Sequence, residues 1–410
     1  MIEKAGKETS IHPLSYGQKA LYFLYLNDPE SPAYNVAFTA RILSKVNVNA
    51  FRKALQRLIN RHPSLRTNYF VKDGSPVQEI HGYKEVYFEE TDVSGLGENE
   101  IKEKVKNTSC IPFDLESGDL LKTHFFKISD EDHVLLISIH HIANDGFSMS
   151  ILLKELKYFY EIETGFMHEP LPALTHKYTD YINELDEFIK SDKGNNEWDY
   201  WKDELSGELP VLNLPTDKIR PASQTFNGST EYFNLDPDLV VKLKSLAQKE
   251  STTLFVTLLS AYGLFLHRYT GQNDIIVGTP TSGRYNTKFE NIIGYFINPV
   301  AIRSNFEDEP VFKDYLSKVK RKVLNAITNE DLPFSVIVDR LNLKRDPSRS
   351  AVFQTFFGLQ RLTGEDNLQE IIVPGNKNAK AKWGELELRP FEISQQEGQF
   401  DLTLEFAEGK

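Results

Sequence analysis

The chain has 410 residues, more than one ordinary core comfortably holds, so two lobes are the default expectation. Its 40% hydrophobic and 26% charged residues are typical of a globular protein, and its net charge of −12 argues against a nucleic-acid-binding surface. One cysteine, Cys110, excludes an internal disulfide and a thiolate metal cluster. No apolar run could span a bilayer and no secretion signal is evident, so we expect a cytoplasmic location and no membrane partner.

The first part of the chain mixes helical and extended patterns. Residues 34–43 alternate apolar and polar side chains like a strand, and Phe51, Leu55 and Leu58 share one face of a predicted helix. In chain order the patterns predict a helix at 15–27, a strand at 34–43, a helix at 48–61, strands at 65–71 and 85–91, a helix at about 98–109, strands near 118–128 and 133–140, and a helix at 147–163.

A less regular segment separates the two parts. Residues 164–230 contain five prolines and the polar stretch 190–197, so we place the lobe boundary there, with residues 1–185 as the first lobe and 186–410 as the second. The second lobe is predicted to contain helices at 236–250 and 253–270, a strand at 274–281, a helix at 311–327, and strands at 352–360, 369–373, 385–393 and 400–406.

The stretch VLLISIHHIANDGFSMS carries the strongest chemical signal. An apolar strand runs into His140 and His141, and a turn through Asp145 and Gly146 leads into a helix. Neighbouring residues of a strand point to opposite faces, so the two histidines are not expected to share a ligand. We therefore expect one histidine to face a cleft while the other packs inside. Gly146 permits a tight turn and a close approach of a ligand to the backbone.

This HHxxxDG pattern resembles the active-site motif of the condensation domains of nonribosomal peptide synthetases. Other motifs of that family appear in the same order along the whole chain. They are HPLSYGQKALYFL (12–24), RHPSLRTNYF (61–70), YTDY (178–181), NIIGYFINPVAIR (291–303), NEDLPFSVIV (329–338), RDPSRSAVFQTFFGLQ (345–360) and FDLTLEF (400–406).

The resemblance implies an α/β fold of two chloramphenicol-acetyltransferase-like lobes set in a V, with a central tunnel and crossovers from the second lobe to the first. It implies an acyltransferase that forms an amide bond between a donor and an acceptor thioester. Both substrates would hang on the phosphopantetheine arms of carrier proteins, so the chain would need no cofactor or metal of its own. Its partners would be those carriers and adjacent synthetase or polyketide synthase domains, and the domain itself would be monomeric.

The resemblance also assigns roles to the motif residues. His141 would be catalytic, either as a general base or by positioning the amine. The Gly146 N–H at the helix start could stabilise an oxyanion. His140 and Asp145 would be structural, with Arg284 the first candidate for the partner of Asp145 and Arg61 the second.

A polar side chain in an apolar, strand-like run needs a partner or a function, and Asn298 is such a residue, so it is a candidate for lining the tunnel.

Two features depart from the common family pattern. The opening run SYGQKAL (15–21) resembles condensation domains beside polyketide modules or acting on a modified residue, which favours an acyl or altered aminoacyl donor over an L-peptidyl donor. The chain stops soon after 400–406, so we expect it to be a fragment of a longer synthetase.

Two alternative functions remain at this stage. The first is an ester-forming or free-acceptor acyltransferase that uses the same histidine. The second is a non-catalytic module that only docks carrier proteins, and the intact HHxxxDG motif argues against it.

Overall fold

The computed structural model describes residues 8–408 apart from 345, 362–367, 372, 374, 377 and 394–397. Every element predicted for the first part of the chain is present with ends shifted by a few residues, and short strands are added. The elements are β1 (Ser10–Pro13), α1 (Tyr16–Asn27), β2 (Asn35–Ile42), α2 (Val48–Arg61), β3 (Thr67–Lys72), β4 (Ser75–Ile80), β5 (Tyr87–Asp92), α3 (Glu98–Ser109), β6 (Leu121–Ser129), β7 (Asp132–His140) and α4 (Gly146–Glu163).

The second part is richer in helices than the sequence pattern indicated. Its elements are α5 (Tyr178–Ile189), α6 (Asp192–Glu204), α7 (Pro237–Lys249), α8 (Leu254–Thr270), β8 (Asp274–Thr281), β9 (Asn298–Asn305), α9 (Phe312–Thr328), α10 (Phe334–Leu341), β10 (Thr355–Arg361), α11 (Leu368–Ile371), β11 (Ala381–Trp383), β12 (Leu386–Pro390) and β13 (Leu402–Glu408).

Two predictions about the second part are wrong. The segment 164–230, predicted to be less regular and given no helix, contains α5 and α6. The residues 369–371, expected to begin a strand, belong to helix α11 instead, and residue 372 lies outside the described part. A short apolar run does not distinguish a helix from a strand by periodicity, which explains the second error.

The strands form three sheets among the described residues. A six-stranded sheet has the order β11-β12-β2-β7-β6-β5, a four-stranded sheet has the order β13-β10-β8-β9, and a three-stranded sheet has the order β1-β4-β3. β2 and β7 pair antiparallel from Asn35 opposite His140 to Ile42 opposite His133. β12 pairs antiparallel with β2, so a strand from near the end of the chain extends the sheet that carries the HHxxxDG motif.

The described residues form two large apolar cores. Each core is built mainly from one of the two parts of the chain and also contains some residues of the other part. The core under the six-stranded sheet includes Phe51 and Leu135 and also Trp383 of β11. The other core surrounds α8 and the four-stranded sheet, and it includes Tyr178 and Leu185 of α5. The predicted division at 185/186 stays a prediction, and the packing places α5 with the elements that follow it. In the described part, no helix is long and apolar enough to cross a membrane.

Candidate active site

The site is built where β7 ends. From His133 to His140 every residue of this strand is buried, because β2 and β6 flank it and cores cover both of its faces. The strand ends in a 3₁₀ turn, His141–Ala143, and α4 begins at Gly146. The buried strand and the helix start hold the intervening turn from both sides.

His140 faces inward. Its Nδ1 accepts a hydrogen bond from the Ile142 N–H at 3.1 Å, and its ring lies edge-on to Phe113 with centroids 5.9 Å apart. Burial, and to a smaller degree the neighbouring His141, lowers the pKa of His140 to about 3. His140 is therefore a neutral ring that caps the turn.

His141 is half-buried and lies along a cavity. Its Nδ1 is 2.6 Å from the backbone oxygen of Asn144. A carbonyl oxygen only accepts, so Nδ1 carries the proton and Nε2 of the neutral ring keeps a free lone pair. The ring also packs edge-on against Tyr295, with centroids 5.2 Å apart and an interplanar angle of 83°. The backbone carbonyl and the aromatic ring together fix the tautomer and the direction of the imidazole.

Asp145 uses both carboxylate oxygens inside the protein. Its Oδ1 accepts the Ser148 N–H at 2.7 Å, which caps α4, and its Oδ2 accepts the Phe296 N–H at 3.0 Å. Arg284 Nη2 lies 3.3 Å from Oδ1, and both side chains are 4% exposed or less. The carboxylate thus ties the start of α4 to the segment around Phe296, and it is Asn144, not Asp145, that orients His141.

Arg284 is the arginine that the structure brings to Asp145. Its Nη1 donates to the backbone oxygens of Phe289 at 2.6 Å and Ile292 at 2.9 Å, and its guanidinium lies 3.9 Å from the ring centroid of Phe296. Burial lowers the pKa of Arg284, and Asp145 acts in the opposite direction.

Arg61, the second candidate for the partner of Asp145, lies elsewhere. Its Nε donates to Glu155 of α4 at 3.0 Å, and His62 Nε2 lies 2.7 Å from the same carboxylate. The carboxylate partner of Arg61 is therefore Glu155, one that the sequence pattern did not indicate.

Gly146 opens α4 at the edge of the cavity, so its N–H belongs to the unsatisfied first turn of a helix. A Cβ built on this residue meets no atom within 4 Å, and its φ is not in the positive region. The turn therefore does not require a glycine at this position, because an alanine could adopt the same backbone. What glycine leaves here is open space beside the cavity.

Helix α1 packs against the turn that connects β7 and α4. The Gln18 side-chain amide donates to the Ile142 carbonyl at 3.2 Å. A Cβ on Gly17 would approach Tyr295 Cε1 to 2.6 Å, so the glycine lets α1 pack closely on the ring that contacts His141. This packing explains the small residue in SYGQKAL without reference to the donor.

The segment around Tyr295 is held by contacts that the sequence did not reveal. Tyr178 donates its hydroxyl to the Tyr295 carbonyl at 2.5 Å, and the Ser148 hydroxyl donates to the Gly294 carbonyl at 2.9 Å. The partners are 117 and 146 residues apart, so only the fold brings them together.

Asn298 lies on the cavity wall at the start of β9, and its amide is fully used. It donates to the backbone oxygens of Glu330 at 2.8 Å and Leu332 at 2.9 Å and accepts the Phe334 N–H at 2.8 Å. Glu197 of α6 holds the same segment by accepting the Leu332 N–H at 2.9 Å. Asn298 thus fixes the loop before α10.

The cavity has a volume of about 1940 Å³ and lies between the two parts of the chain. Tyr34 and His141 contribute from the first part, and Phe334, Phe353 and Phe400 contribute from the second. Within the described residues, no group of three or more His, Cys, Asp or Glu side chains could hold a metal ion. The site therefore offers an imidazole lone pair and a helix N–H beside a large cavity. Arg345, the first residue of the motif RDPSRSAVFQTFFGLQ (345–360), lies outside the described residues. So do residues 409–410, which follow the strand 400–406 on which the expectation of a fragment was based.

Comparison with known proteins gives matches over almost the entire chain. A family model described as Condensation domain matches residues 8–410. Bacitracin synthase 3 of Bacillus licheniformis is 36% identical over 98% of this chain, and gramicidin S synthase 2 of Brevibacillus brevis is 35% identical over 96%. The chain spans only 6% and 8% of the lengths of these two relatives.

Solved structures match at the level of the fold. A four-domain nonribosomal peptide synthetase bound to AMP and glycine gives a TM-score of 0.89 at 25% identity, over 100% of this chain and 31% of that chain. The first condensation domain of the calcium-dependent antibiotic synthetase, in complex with a substrate analogue, gives 0.76 at 18% identity, over 97% of this chain and 87% of that chain.

Proposed function

The chain belongs to the condensation domain family of nonribosomal peptide synthetases, and from that premise we propose that it joins a donor acyl or aminoacyl thioester to an acceptor aminoacyl thioester through an amide bond. The two-lobed, chloramphenicol-acetyltransferase-like α/β fold expected from the sequence is confirmed by the structural matches. Each substrate arrives on the phosphopantetheine arm of a carrier protein, and this chain contributes no cofactor or metal of its own.

The observation that carries the proposal is the orientation of His141 beside the cavity. Because Nδ1–H is committed to the Asn144 carbonyl, Nε2 is free to accept a hydrogen bond from the acceptor amine. The amine nitrogen attacks the thioester carbon, so a C–N bond forms and the C–S bond breaks. The proton lost by the amine passes through Nε2, or directly within the held complex, to the departing thiolate.

Gly146 completes the reacting centre in this proposal. The carbonyl oxygen of the donor gains negative charge when the amine attacks, and the N–H at the start of α4 is a donor at the positive end of a helix dipole. The absent side chain leaves room for the tetrahedral carbon to approach that N–H.

The partners belong to the proposal as well. A cavity bordered by both parts of the chain suits two arms that enter from opposite sides. We place the domain in the cytoplasm as a monomeric unit beside carrier proteins and further synthetase or polyketide synthase modules.

The test is product analysis after mixing this chain with one donor-loaded and one acceptor-loaded carrier protein. Mass spectrometry should find an amide-linked product on the acceptor carrier and free thiol on the donor carrier. Product formed only with a hydroxyl-bearing or unattached acceptor would replace the proposal with an ester-forming or free-acceptor acyltransferase. Binding of both carriers without any product would indicate a docking module.

A further inference from the structure

Two tyrosines that line the cavity also contact His141. The Tyr34 backbone carbonyl accepts the His141 N–H at 2.9 Å, and the Tyr295 ring lies edge-on to the imidazole with centroids 5.2 Å apart. Both tyrosines are half-buried, and both pack against an apolar cluster that includes Phe113 and Ile142. The positions of the two phenol groups are therefore tied to that of His141.

Both rings are held by packing. The Tyr34 ring lies edge-on to Phe226 of the second part of the chain, with centroids 6.1 Å apart and an interplanar angle of 67°. The Tyr295 ring packs so closely on α1 that a Cβ on Gly17 would approach its Cε1 to 2.6 Å, and the Tyr178 hydroxyl fixes the Tyr295 carbonyl. The hydroxyl groups of Tyr34 and Tyr295 are thus not needed to orient their own side chains.

The hydroxyl groups of Tyr34 and Tyr295 form no hydrogen bond with any described residue. A tyrosine hydroxyl inside a protein usually has a partner, as the Tyr178 hydroxyl does with Ser15 and the Tyr295 carbonyl. Burial raises the pKa of both phenols, and Tyr34 and next Asp145 raise the pKa of Tyr295 further. Both hydroxyls therefore keep their protons at neutral pH and are available as hydrogen-bond donors.

The acceptor substrate of the proposed function presents a matching pair of groups. An aminoacyl thioester carries its amine on the carbon next to the thioester carbonyl, so the amine nitrogen and the carbonyl oxygen lie about 3 Å apart. His141 Nε2 can accept from the amine, but it offers no proton to the carbonyl oxygen. A carbonyl that leaves water without a new donor costs free energy, so binding gains from a donor beside the imidazole. The Gly146 N–H is already assigned to the other carbonyl, that of the donor thioester.

We infer that the hydroxyls of Tyr34 and Tyr295 are specificity-determining groups that donate hydrogen bonds to the non-reacting thioester carbonyl of the acceptor substrate. The inference rests on the proposed function for the class of acceptor. It goes beyond that function by assigning the residues that distinguish an aminoacyl thioester from a plain amine. His141 holds the amine and the two phenols hold the adjacent carbonyl, so the amine meets the donor thioester in one orientation.

The test measures binding of two probes by isothermal titration calorimetry. Glycyl-aminopantetheine amide keeps the amine and the carbonyl and resists hydrolysis, whereas S-(2-aminoethyl)pantetheine has a methylene group in place of the carbonyl. The double variant Tyr34→Phe/Tyr295→Phe removes both hydroxyls and keeps both rings. It should bind the glycyl probe about tenfold more weakly than the native chain does and the aminoethyl probe equally well. Its melting temperature should stay the same or rise, because neither hydroxyl has a partner in the described part of the chain.

Tyr269→Phe is the matched control, because this tyrosine is exposed and does not line the cavity, and it should change neither affinity. A native chain that does not bind the glycyl probe would overturn the inference, as would a double variant that binds it like the native chain. An equal loss of affinity for both probes would also overturn it, since the hydroxyls would then have only a structural role. Failure of the proposed function would look different, because the carrier assay would yield no amide while the double variant still lost affinity for the glycyl probe alone.

Discussion

The imidazole of His141 is oriented by a backbone carbonyl and an aromatic ring, while the nearby carboxylate is occupied elsewhere. Asp145 accepts from two backbone N–H groups and faces Arg284, so it has no role as the third member of a catalytic triad. The two residues of the motif thus have separate surroundings, with the His141 ring beside the cavity and the Asp145 carboxylate inside the loop contacts.

Replacing Asp145 by alanine should therefore cost stability as well as activity. It leaves the buried Arg284 without its carboxylate and the Phe296 N–H without an acceptor, and loss of one partner of a buried ion pair costs about 3–5 kcal/mol. Urea unfolding of the native chain, Asp145→Ala and Asp145→Asn measures this, with the asparagine variant expected in between. An alanine variant that unfolds like the native chain but makes no product would show a chemical role for Asp145.

Gly146→Ala should give the opposite result. The backbone of Gly146 suits alanine and its Cβ meets only open space, so the melting temperature should stay the same or rise slightly. The methyl group would occupy the approach to the helix N–H, and displacement of the reacting carbon should reduce turnover by about tenfold to a hundredfold. Thermal melting together with the carrier assay checks both parts. Full turnover of the variant would remove Gly146 from the reacting centre.

The sequence revealed the motif residues because they are contiguous. His140, His141, Asp145 and Gly146 stand within seven positions, and their strand–turn–helix setting could be read from hydrophobic periodicity. The supporting contacts have no such periodic signal. The family resemblance named Arg284 as the first candidate for the partner of Asp145, and the structure brings the two together across 139 residues, whereas nothing in the sequence placed Tyr295 against the His141 ring.

At the scale of elements, helix α6 holds the loop before α10 in position through a hydrogen bond to one buried carboxylate. Glu197 accepts the Leu332 N–H, and Asn298 at the start of β9 holds the adjoining backbone. Burial, and next Asp331, raises the pKa of Glu197 from 4.5 to about 7, while the nearby Lys193 acts in the opposite direction.

This raised pKa predicts a specific pH dependence of stability. Between about pH 4.5 and pH 7 the folded chain keeps the Glu197 proton that the unfolded chain has released, so this residue's contribution to stability falls as pH rises through that window. Glu197→Gln retains an acceptor for Leu332 and removes the titration. Its stability relative to the native chain should rise from pH 4.5 to pH 7 and then level off in urea unfolding measured at a series of pH values. A difference that is flat or falls over this range would contradict the assignment.

Elements with strong local periodicity were predicted well, and those defined by tertiary packing were not. α2 and β8 have the predicted ends, because amphipathic and β-branched patterns specify them locally. α5 was missed although Tyr178, Tyr181 and Leu185 are buried at helical spacing, since the prolines before it suggested a loop. β11 has three residues and exists because it pairs with β12, which no pattern within three residues encodes.

At the scale of the whole molecule, the late part of the chain completes the sheet of the early part. β12 pairs with β2, β2 pairs with β7, and Trp383 of β11 is fully buried in the core beneath them. The strand that ends at His140 is therefore supported by residues more than 240 positions later. The cavity is bordered by both parts of the chain, and the proposed function requires such a space for two substrates beside His141.

The most direct test of the account is the single-turnover rate of amide formation between two loaded carrier proteins, compared for the native chain and His141→Ala. The alanine variant should fold like the native chain and lose about 10²–10⁴ in rate, the usual cost of removing a group that accepts or positions a proton. His168→Ala, which changes an exposed histidine that does not line the cavity, serves as the control and should react at the native rate. A His141→Ala variant that reacts at the native rate would contradict the account.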